Sequence, residues 1–541
     1  MHASLRQLSS IRADVAVLVA LAAGVFVAIH WSSLNGYFLA DDFFVVGDIA
    51  RAFDQGDLSG YLRTALLHGQ DLMGSFYRPF GLLNWLINYA LAGPTPTAWR
   101  VVNLALHLLN GWLLCRLVLR LVSSKSWAAP AAGFAVALFW LYPLAPEVTA
   151  WIAARYDELA LAGMLIALER HLASQRWFDR AHIVSLLALV FALGAKESAL
   201  VAPAFFLLLS AARLRQQPLP WRRLIIQAFR ECLPALVLYA AFLLWRYVLL
   251  GSVFEIYVGS APLDHLNPLE LIHRAVALAP IVRQPLGDLL PCLLAIIGIA
   301  LLAGLWIAAR AGQMLRLWLM PASGFAVSFL AVLPHFPGSM ASGEGARIFF
   351  LCGVWLALWI ALPFAAITPP RSYRDWSRRA WLGLTLVVVA FACGQARSIQ
   401  PWSVSGNAMA ALRQALADEA QILRTAHASA IVAVPRSWRT ALFAVNSEAT
   451  LLRPPFQREP IDDVLTLYVI PDLGVLPANV LAAQQHRLAN SASDLRYFCF
   501  DIKTKRLLPL AMPAPSIDAE SWRPAWSHAI TASFCAESFG Q

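Results

Sequence analysis

The sequence predicts a polytopic α-helical membrane protein that ends in a small α/β domain. Hydrophobic residues make up 59% of the 541 residues, charged residues make up 14%, and the mean hydropathy is +0.61. A soluble protein would carry about a quarter charged residues. The net charge of +10 comes from basic residues in short loops between apolar runs, which is positive-inside topology and not a face for nucleic acid.

The first apolar run, Val15–Trp31, carries no acidic residue, lysine or arginine and is long enough for a transmembrane helix. Arg6 and Arg12 precede it and predict a cytoplasmic N-terminus. No small-residue cleavage site follows, so we predict an uncleaved anchor. Asp41 and Asp42 then emerge on the outer face of the membrane, at the start of a polar outer loop.

Further apolar runs are predicted to cross in alternating directions, and every predicted inner loop between them is basic. These runs are Trp99–Val122, Trp127–Leu144, Leu159–Leu168, Ile183–Leu193, Ala199–Leu209, Cys232–Leu250, Leu289–Ala309, Leu317–Leu333, Ile348–Ile367 and Trp381–Cys393. The count is about eleven spans, with the N-terminus inside and the C-terminus outside. Some of the predicted spans are shorter than the roughly twenty residues that a bilayer needs. The sequence therefore supports the placement of the two termini on opposite sides better than the exact number of spans.

Two apolar stretches are predicted to lie along the membrane surface instead of crossing it. Phe80–Leu91 is short and is followed by Gly93-Pro94-Thr95-Pro96, and Pro268–Val282 lies in a later outer loop. The membrane domain therefore spans residues 1–396 and includes an outer loop at 35–78.

Residues 397–541 lack long apolar runs and have the length of a domain. Asn407–Ala426 is predicted to be a helix, and Ala430–Val434 and Leu465–Ile470 are β-branched runs that each end at proline, as buried strands do. Asp494–Leu510 predicts a hairpin. We expect a small α/β domain outside the membrane, in the periplasm of a bacterium whose inner membrane holds the rest of the chain.

Charged residues gather on the predicted outer side, in several loops and at helix ends. They are Asp41, Asp42, Arg78, Glu147, Arg155, Asp157, Lys196, Glu197, Arg246, His335, Glu344 and Arg347. Carboxylates at a membrane surface indicate function, although Asp41 and Asp42 could simply end the first helix. Arg246 could likewise extend to lipid headgroups.

Asn103, His107 and Asn110 recur at helical spacing and share one face of the third apolar segment. Hydrogen bonding between helices is the simpler explanation for them. Lys196 and Glu197 could form a mutual ion pair that fixes a turn. The convergence of acids and bases on one side of the membrane favours a functional site over these separate explanations.

The order of these motifs resembles the GT-C glycosyltransferases. The motifs are the acidic pair after the first helix, Tyr77-Arg78-Pro79, the Asn103, His107 and Asn110 stripe, Pro146-Glu147-Val148 with Trp151-Ile152, Arg155-Tyr156-Asp157, and Lys196-Glu197. The protein O-mannosyltransferase-like group is most similar, including the transmembrane mannosyltransferases that carry tetratricopeptide repeats. The resemblance covers Tyr37–Leu200 and extends weakly to Glu344–Arg347. This chain lacks the repeats after the last span, which leaves the acceptor open.

The resemblance implies a GT-C-like fold and a transferase that uses a polyprenyl-phosphate-linked sugar on the outer face. Asp41 matches the acidic residue of the first-loop motif and would be the base that activates an acceptor hydroxyl. Asp42 would orient the acceptor, help to bind a divalent metal ion, or share the proton. Adjacent acids can titrate together, so the sequence does not separate the two roles. The acceptor would be a glycan, a lipid or a protein.

The departing lipid phosphate gains negative charge and needs fixed cations. Arg155, Lys196, Arg246 and Arg347 are the candidates for this role, and arginine suits a bidentate grip on phosphate. Further active-site candidates are Arg78, His107, Glu147, Asp157, Glu197, His335 and Glu344. A single direct displacement would invert the anomeric centre.

Two other classes of membrane protein remain as alternatives. A lipid or sugar transporter often has repeated halves and charges at the membrane midplane, and neither is evident in this sequence. A polysaccharide ligase or polymerase would use a lipid-diphosphate donor and a large late outer loop. Here the late loop, Pro334–Ala346, is short, and no Cys/His cluster has zinc spacing.

The cysteines predict one disulfide bond. Cys499 and Cys535 lie in the C-terminal region, which the topology places in an oxidising compartment. The other cysteines, Cys115, Cys232, Cys292, Cys352 and Cys393, lie in apolar spans and are expected to pack as small hydrophobic groups. Two separate buried thiols are the alternative, and non-reducing peptide mapping distinguishes it from a bridge.

Overall fold

The computed structural model is mostly helical and carries a small sheet near the C-terminus, as the sequence predicts. It describes residues 2–67, 76–122, 128–215, 220–251, 253, 267–333, 343–366, 373–447, 449–470 and 495–510. The helices are α1 (His2–Leu34), α2 (Asp41–Asp54), α3 (Leu58–Leu67), α4 (Pro79–Ala92), α5 (Pro96–Leu121), α6 (Ala128–Trp140), α7 (Pro146–Ala150), α8 (Arg155–Ala173), α9 (Arg180–Ala195), α10 (Ala202–Leu214), α11 (Trp221–Leu250), α12 (Pro268–Ala277), α13 (Ala279–Leu286), α14 (Leu290–Arg310), α15 (Met320–Val332), α16 (Phe350–Ala361), α17 (Tyr373–Ser398) and α18 (Gln400–Thr425).

In the described residues, eight helical segments are long and apolar enough to cross a membrane, which makes this an integral membrane protein. They are Val15–Leu34, Pro96–Leu121, Glu197–Leu214, Trp221–Leu250, Pro268–Arg310, Leu315–Val332, Ala346–Ala366 and Trp381–Thr425. Helices α6 and α9 are apolar but shorter, and α8 carries Asp157, Glu158 and Glu169 among its 19 residues. The number of about eleven spans stays a prediction.

The predicted outer loop at 35–78 contains two helices, α2 and α3, which is a difference from the sequence expectation. Phe43, Val46 and Ile49 of α2 are wholly buried and follow helical spacing. Asp41 and Asp42 stand in the first turn, where negative charge complements the helix dipole. Charged residues interrupt this short amphipathic pattern, so it is easily mistaken for a polar loop.

Helix α6 lies at the centre of the bundle and packs against α1, α5 and α16. Nearly all of its side chains are buried, and many of them are alanine, which lets neighbouring helices approach closely. Trp140 at its end packs on Gly111 of α5, and its indole N–H donates to the carbonyl oxygen of His107 at 3.2 Å. Helix α5, which carries the stripe of Asn103, His107 and Asn110, is thus held against α6, and α8 packs against α5 in turn.

The C-terminal region forms a sheet with strand order β4-β1-β5-β6. Strand β1 (Ser429–Pro435) pairs in parallel with β4 (Leu465–Ile470) and β5 (Leu495–Asp501), and β5 turns back into antiparallel β6 (Arg506–Pro509). A separate short ladder joins β2 (Ser437–Trp438) and β3 (Ala441–Leu442). The predicted helix, the two predicted strands and the hairpin are confirmed. Cys499 on β5 is disulfide-bonded, and its predicted partner Cys535 lies outside the described residues.

This region docks directly on the segment that leads into α2. The backbone N–H of Tyr37 donates to the carbonyl oxygen of Gly406 on α18 at 2.9 Å. Phe456 packs against Phe38 and Phe43, with ring centroids 5.8 and 4.8 Å apart. The position of α2, and of the acidic pair in its first turn, therefore depends on the C-terminal region.

Gly36 and Gly406 permit this docking because their backbones touch, which gives the first testable prediction. A Cβ on Gly406 would lie 2.7 Å from the Cα of Gly36, where only backbone could move away. We expect Gly406→Ala to lower the melting temperature in detergent, although alanine is the better helix former by about 1 kcal/mol.

Gly383→Ala is the matched control, because it makes the same change in the middle of α17 with no atom within 4 Å of the new Cβ. We expect it to keep or raise the melting temperature. Equal melting temperatures for the two variants would contradict the contact.

Candidate active site

The carboxylate of Asp42 is wholly buried and joins two loops. Its Oδ2 accepts a hydrogen bond from the backbone N–H of Leu39 at 3.0 Å, and its Oδ1 accepts one from Ala153 at 2.8 Å. Burial raises the pKa of Asp42 to about 7, against the lowering effects of Leu39, Arg100 and Ala153. Both oxygens of Asp42 are therefore engaged by the protein itself.

Asp41, its neighbour, is only half-buried. Its Oδ1 accepts a hydrogen bond from the Nδ2 of Asn446 at 2.6 Å, and no partner within the described ranges engages its Oδ2. Burial raises the pKa of Asp41, and the Asn446 amide together with the charges of Arg347, Arg78 and Arg436 opposes this rise. Asp41 thus offers one carboxylate oxygen, surrounded by positive charge, to a bound molecule.

Arg78 and Arg246 meet at the carboxylate of Glu197. The Nε and Nη2 of Arg78 donate to Oε2 of Glu197 at 2.8 and 2.7 Å, and Nη1 of Arg246 lies 3.5 Å from Oε1. The Arg78 guanidinium also stacks over Tyr156, 5.0 Å from the ring centroid. Arg246 is buried in this pair and does not extend to lipid headgroups.

Lys196 forms an ion pair with Asp157 at the start of α8. The alternative of a mutual Lys196–Glu197 pair is therefore not what the structure shows, since each residue has its own partner on another element. Through Lys196 and Glu197, the turn before α10 therefore contacts both the start of α8 and Arg78.

Arg347 at the end of the late loop and Arg436 from the C-terminal region both place their charges near Asp41. Arg347 forms an ion pair with Glu147 on α7 and lies over Trp151, 4.8 Å from the ring centroid. The other oxygen of Glu147 accepts the backbone N–H of Gly345 at 2.8 Å. Burial raises the pKa of Glu147 against the lowering effect of Arg347. Arg436 pairs with Glu344 at 3.0 Å.

Arg155 stands apart from these ion pairs although its motif suggested phosphate binding. It is fully buried, and it donates to side-chain oxygens of Asn103 (2.7 Å), Asn84 (3.2 Å) and Asn88 (2.7 Å) and to the carbonyl oxygen of Trp99 (2.6 Å). Its contacts join α4, α5 and the start of α8 within the protein.

His107 and Asn110 lie inside the bundle and bind Glu158 of α8. The Nδ1 of His107 lies 2.8 Å from Oε1 of Glu158, and the Nδ2 of Asn110 donates to Oε2 at 2.6 Å. Asn103 donates to the carbonyl oxygen of Trp151 at 3.0 Å. These contacts match the interhelical alternative for the stripe. His335, also a predicted site residue, lies outside the described residues.

Three residues of this site were not among the sequence candidates. Arg100 donates to the carbonyl oxygens of Gly36, Tyr37 and Ala150 and so fixes the entry to α2. Its position inside an apolar span was a usable signal. No signal in the sequence pointed to Arg436 and Asn446, because only the docking of the C-terminal region brings them close to Asp41.

The described residues do not fit a divalent metal ion held by Asp41 and Asp42. No group of three or more His, Cys, Asp or Glu side chains that could hold a metal occurs in the described ranges. Magnesium prefers about six oxygen ligands, whereas three of the four oxygens here already accept N–H donors. The chemistry proposed below therefore rests on side chains alone.

No protein-family model matches the chain. The chain is 30% identical over 202 residues to protein O-mannosyl-transferase Tmtc1 of Drosophila melanogaster, a match that covers 35% of this chain and 22% of that protein's length. The predicted resemblance to protein O-mannosyltransferases is thereby confirmed for that stretch.

Two solved structures align with most of the length of the chain. ArnT from Cupriavidus metallidurans bound to undecaprenyl phosphate gives a TM-score of 0.46 at 15% identity, covering 93% of this chain and 96% of ArnT. The apo state of ArnT gives 0.44 at 16% identity, covering 91% and 93%.

The different surroundings of the two acids predict different effects of their removal. Asp42→Ala would leave the N–H groups of Leu39 and Ala153 buried without partners, at a cost of about 1–3 kcal/mol each. We expect a clear fall in the melting temperature. Asp41→Ala removes one hydrogen bond from a half-buried site, and we expect a much smaller fall. Thermal unfolding in the same detergent tests this, and similar losses would contradict the assignment of Asp42 as the structural acid.

Proposed function

We propose that this protein is a membrane glycosyltransferase of the GT-C type. In this proposal it transfers a sugar from a polyprenyl-phosphate donor to an acceptor hydroxyl at the Asp41 end of the helix bundle. The observation that carries the proposal is the half-buried carboxylate of Asp41, which offers one oxygen among the cations Arg78, Arg347 and Arg436. The similarity to an O-mannosyl-transferase over 202 residues supports the same class of reaction.

Asp41 is the proposed general base. Its Oδ2 would take the proton of the acceptor hydroxyl as the acceptor oxygen attacks the anomeric carbon. The bond from that carbon to the phosphate oxygen breaks in the same displacement, so the polyprenyl phosphate departs with the electron pair and the configuration inverts. Asp42 is a poorer choice for the base because both of its oxygens already accept backbone N–H groups.

We expect the departing phosphate to be stabilised by cations that ion pairs hold in place and that remain partly exposed. Arg347 is 24% exposed, Lys196 17% and Arg78 13%. Arg246, which is 1% exposed, would act through Glu197 by holding Arg78. For Arg155 we propose a structural role, because the neutral oxygens of three asparagines and of Trp99 already surround its guanidinium.

We further propose that the Asp41 end of the bundle faces outward, into the periplasm if the host is a bacterium. Arg116, Arg120 and Arg170 gather around Glu169 at the opposite end. Short loops rich in arginine favour the cytoplasmic side. The outer leaflet would then deliver the polyprenyl chain to the site from the side.

Asp41→Asn tests the base. We expect transfer of labelled sugar from a polyprenyl monophosphate in proteoliposomes to fall about a hundredfold or more, the range of general-base contributions. Binding of the lipid phosphate and the melting temperature should stay near those of the unchanged protein. Transfer within tenfold of the original rate would remove Asp41 from this role.

The same assay separates the proposal from its rivals. A ligase or polymerase would work only with a lipid diphosphate as donor. A transporter would move the labelled lipid across the bilayer and leave the sugar bond intact. Cleavage of that bond with the monophosphate supports a transferase.

Arg347→Gln tests the phosphate site. Losing one cation from a bound phosphate should weaken polyprenyl-phosphate binding at least about tenfold, by analogy with buried charge pairs. Because this change strands Glu147, the double variant Glu147→Gln/Arg347→Gln should restore stability but not binding. Arg424→Gln is the matched control, since Arg424 forms a more exposed ion pair with Asp463. Unchanged binding in the double variant would refute the role of Arg347.

A further inference from the structure

The segment between Arg436 and Asn446 reaches the proposed base from the C-terminal region. Asn446 donates from Nδ2 to Oδ1 of Asp41 at 2.6 Å, across more than 400 residues of sequence. Asn446 itself has a left-handed backbone with φ +61°. Asparagine tolerates this conformation better than most residues, and non-glycine residues held in it cluster at functional sites.

Backbone hydrogen bonds hold this segment against the start of α2. The N–H groups of Phe443 and Ala444 donate to the carbonyl oxygen of Arg436 at 2.9 and 3.2 Å. The carbonyl oxygen of Phe443 in turn accepts the N–H of Ala40 at 2.9 Å. Ala40 directly precedes Asp41 and has φ +49°, so the contact fixes a strained residue next to the base.

We infer that Asn446 is a positioning residue for the reaction. Its side-chain amide holds Oδ1 of Asp41, so that Oδ2 faces the acceptor hydroxyl. The inference rests on the proposed function, in which Asp41 is the base. In this inference the C-terminal region contributes a residue to the active site, in addition to docking on the membrane helices.

A neutral amide suits this task for an electrostatic reason. The amide stabilises the charged carboxylate through one hydrogen bond without forming an ion pair that would compete for the second oxygen. The other groups that face Asp41 are Arg347 before α16, Arg78 before α4 and Arg436 from the C-terminal region, with Asp42 adjacent. The hydrogen bond from Asn446 opposes the rise in pKa that burial causes, so it favours the ionised form of Asp41, which is the form that can accept a proton.

Asn446→Gly is the first test, because glycine accepts the left-handed backbone without strain and lacks the side-chain amide. We expect kcat to fall about tenfold or more, while the KM for a polyprenyl-monophosphate sugar changes little. Activity requires ionised Asp41, so the acid limb of the pH–rate profile should move to higher pH. His427→Gly is the matched control, since His427 is exposed and has φ +50°. It should change neither kcat nor the limb.

Asn446→Asp is the second variant and keeps the size and backbone preference of asparagine. It places a second carboxylate within hydrogen-bond distance of the Asp41 carboxylate. Like charges so close together raise the pKa of one of the two groups. We expect a larger upward shift of the acid limb than in Asn446→Gly, with activity partly recovered at high pH. For Asn446→Gly, which adds no charge, a purely structural role would change the melting temperature without moving the limb.

The outcomes separate the inference from the function on which it rests. If both Asn446 variants keep their kcat and their acid limb while Asp41→Asn is inactive, the positioning role is wrong and the proposed base stands. If Asp41→Asn remains active, the proposed base is wrong first, whatever the Asn446 variants do.

Discussion

The carboxylate of Asp42 holds together the part of the molecule on which the site depends. It binds the backbone on either side of a junction, at Leu39 before α2 and at Ala153 before α8. Arg100 strengthens the same junction through the carbonyl oxygens of Gly36, Tyr37 and Ala150. Because buried hydrogen bonds hold this junction in place, the preceding residue, Asp41, can remain half-buried and chemically available without losing its position.

Around Asp41 the cations form ion pairs with acids from distant parts of the chain. Arg78 and Arg246 share Glu197, and the remaining pairs are Lys196 with Asp157, Arg347 with Glu147 and Arg436 with Glu344. Each cation is already oriented by an acid, so under the proposed function little side-chain entropy would remain to be lost when a phosphate binds. The same acids reduce the net positive charge, which in the proposed reaction would favour release of the lipid phosphate.

The sequence predicts the features that depend on local pattern. Apolar runs marked the helical segments that are long enough to cross a membrane, β-branched runs ending at proline marked β1 and β4, and the Lys503-Thr504-Lys505 turn within Asp494–Leu510 marked the hairpin. Helix α2 was missed because charged residues interrupt its apolar face. Asn446 and Arg436 could not be found in this way, since their relation to Asp41 arises from docking between distant segments and leaves no local pattern. The separate roles of Asp41 and Asp42 likewise depend on backbone partners that no spacing reveals.

The backbone contact between Gly36 and Gly406 has a consequence for how such a chain can vary. In most packed interfaces a larger side chain on one side can be matched by a smaller one on the other. Here each missing Cβ faces the main chain of its partner, and no smaller residue than glycine exists to compensate. Both positions are therefore closed to reciprocal exchange, in contrast to the side-chain contacts of Phe456 with Phe38 and Phe43, where a change in size on one side can be matched on the other.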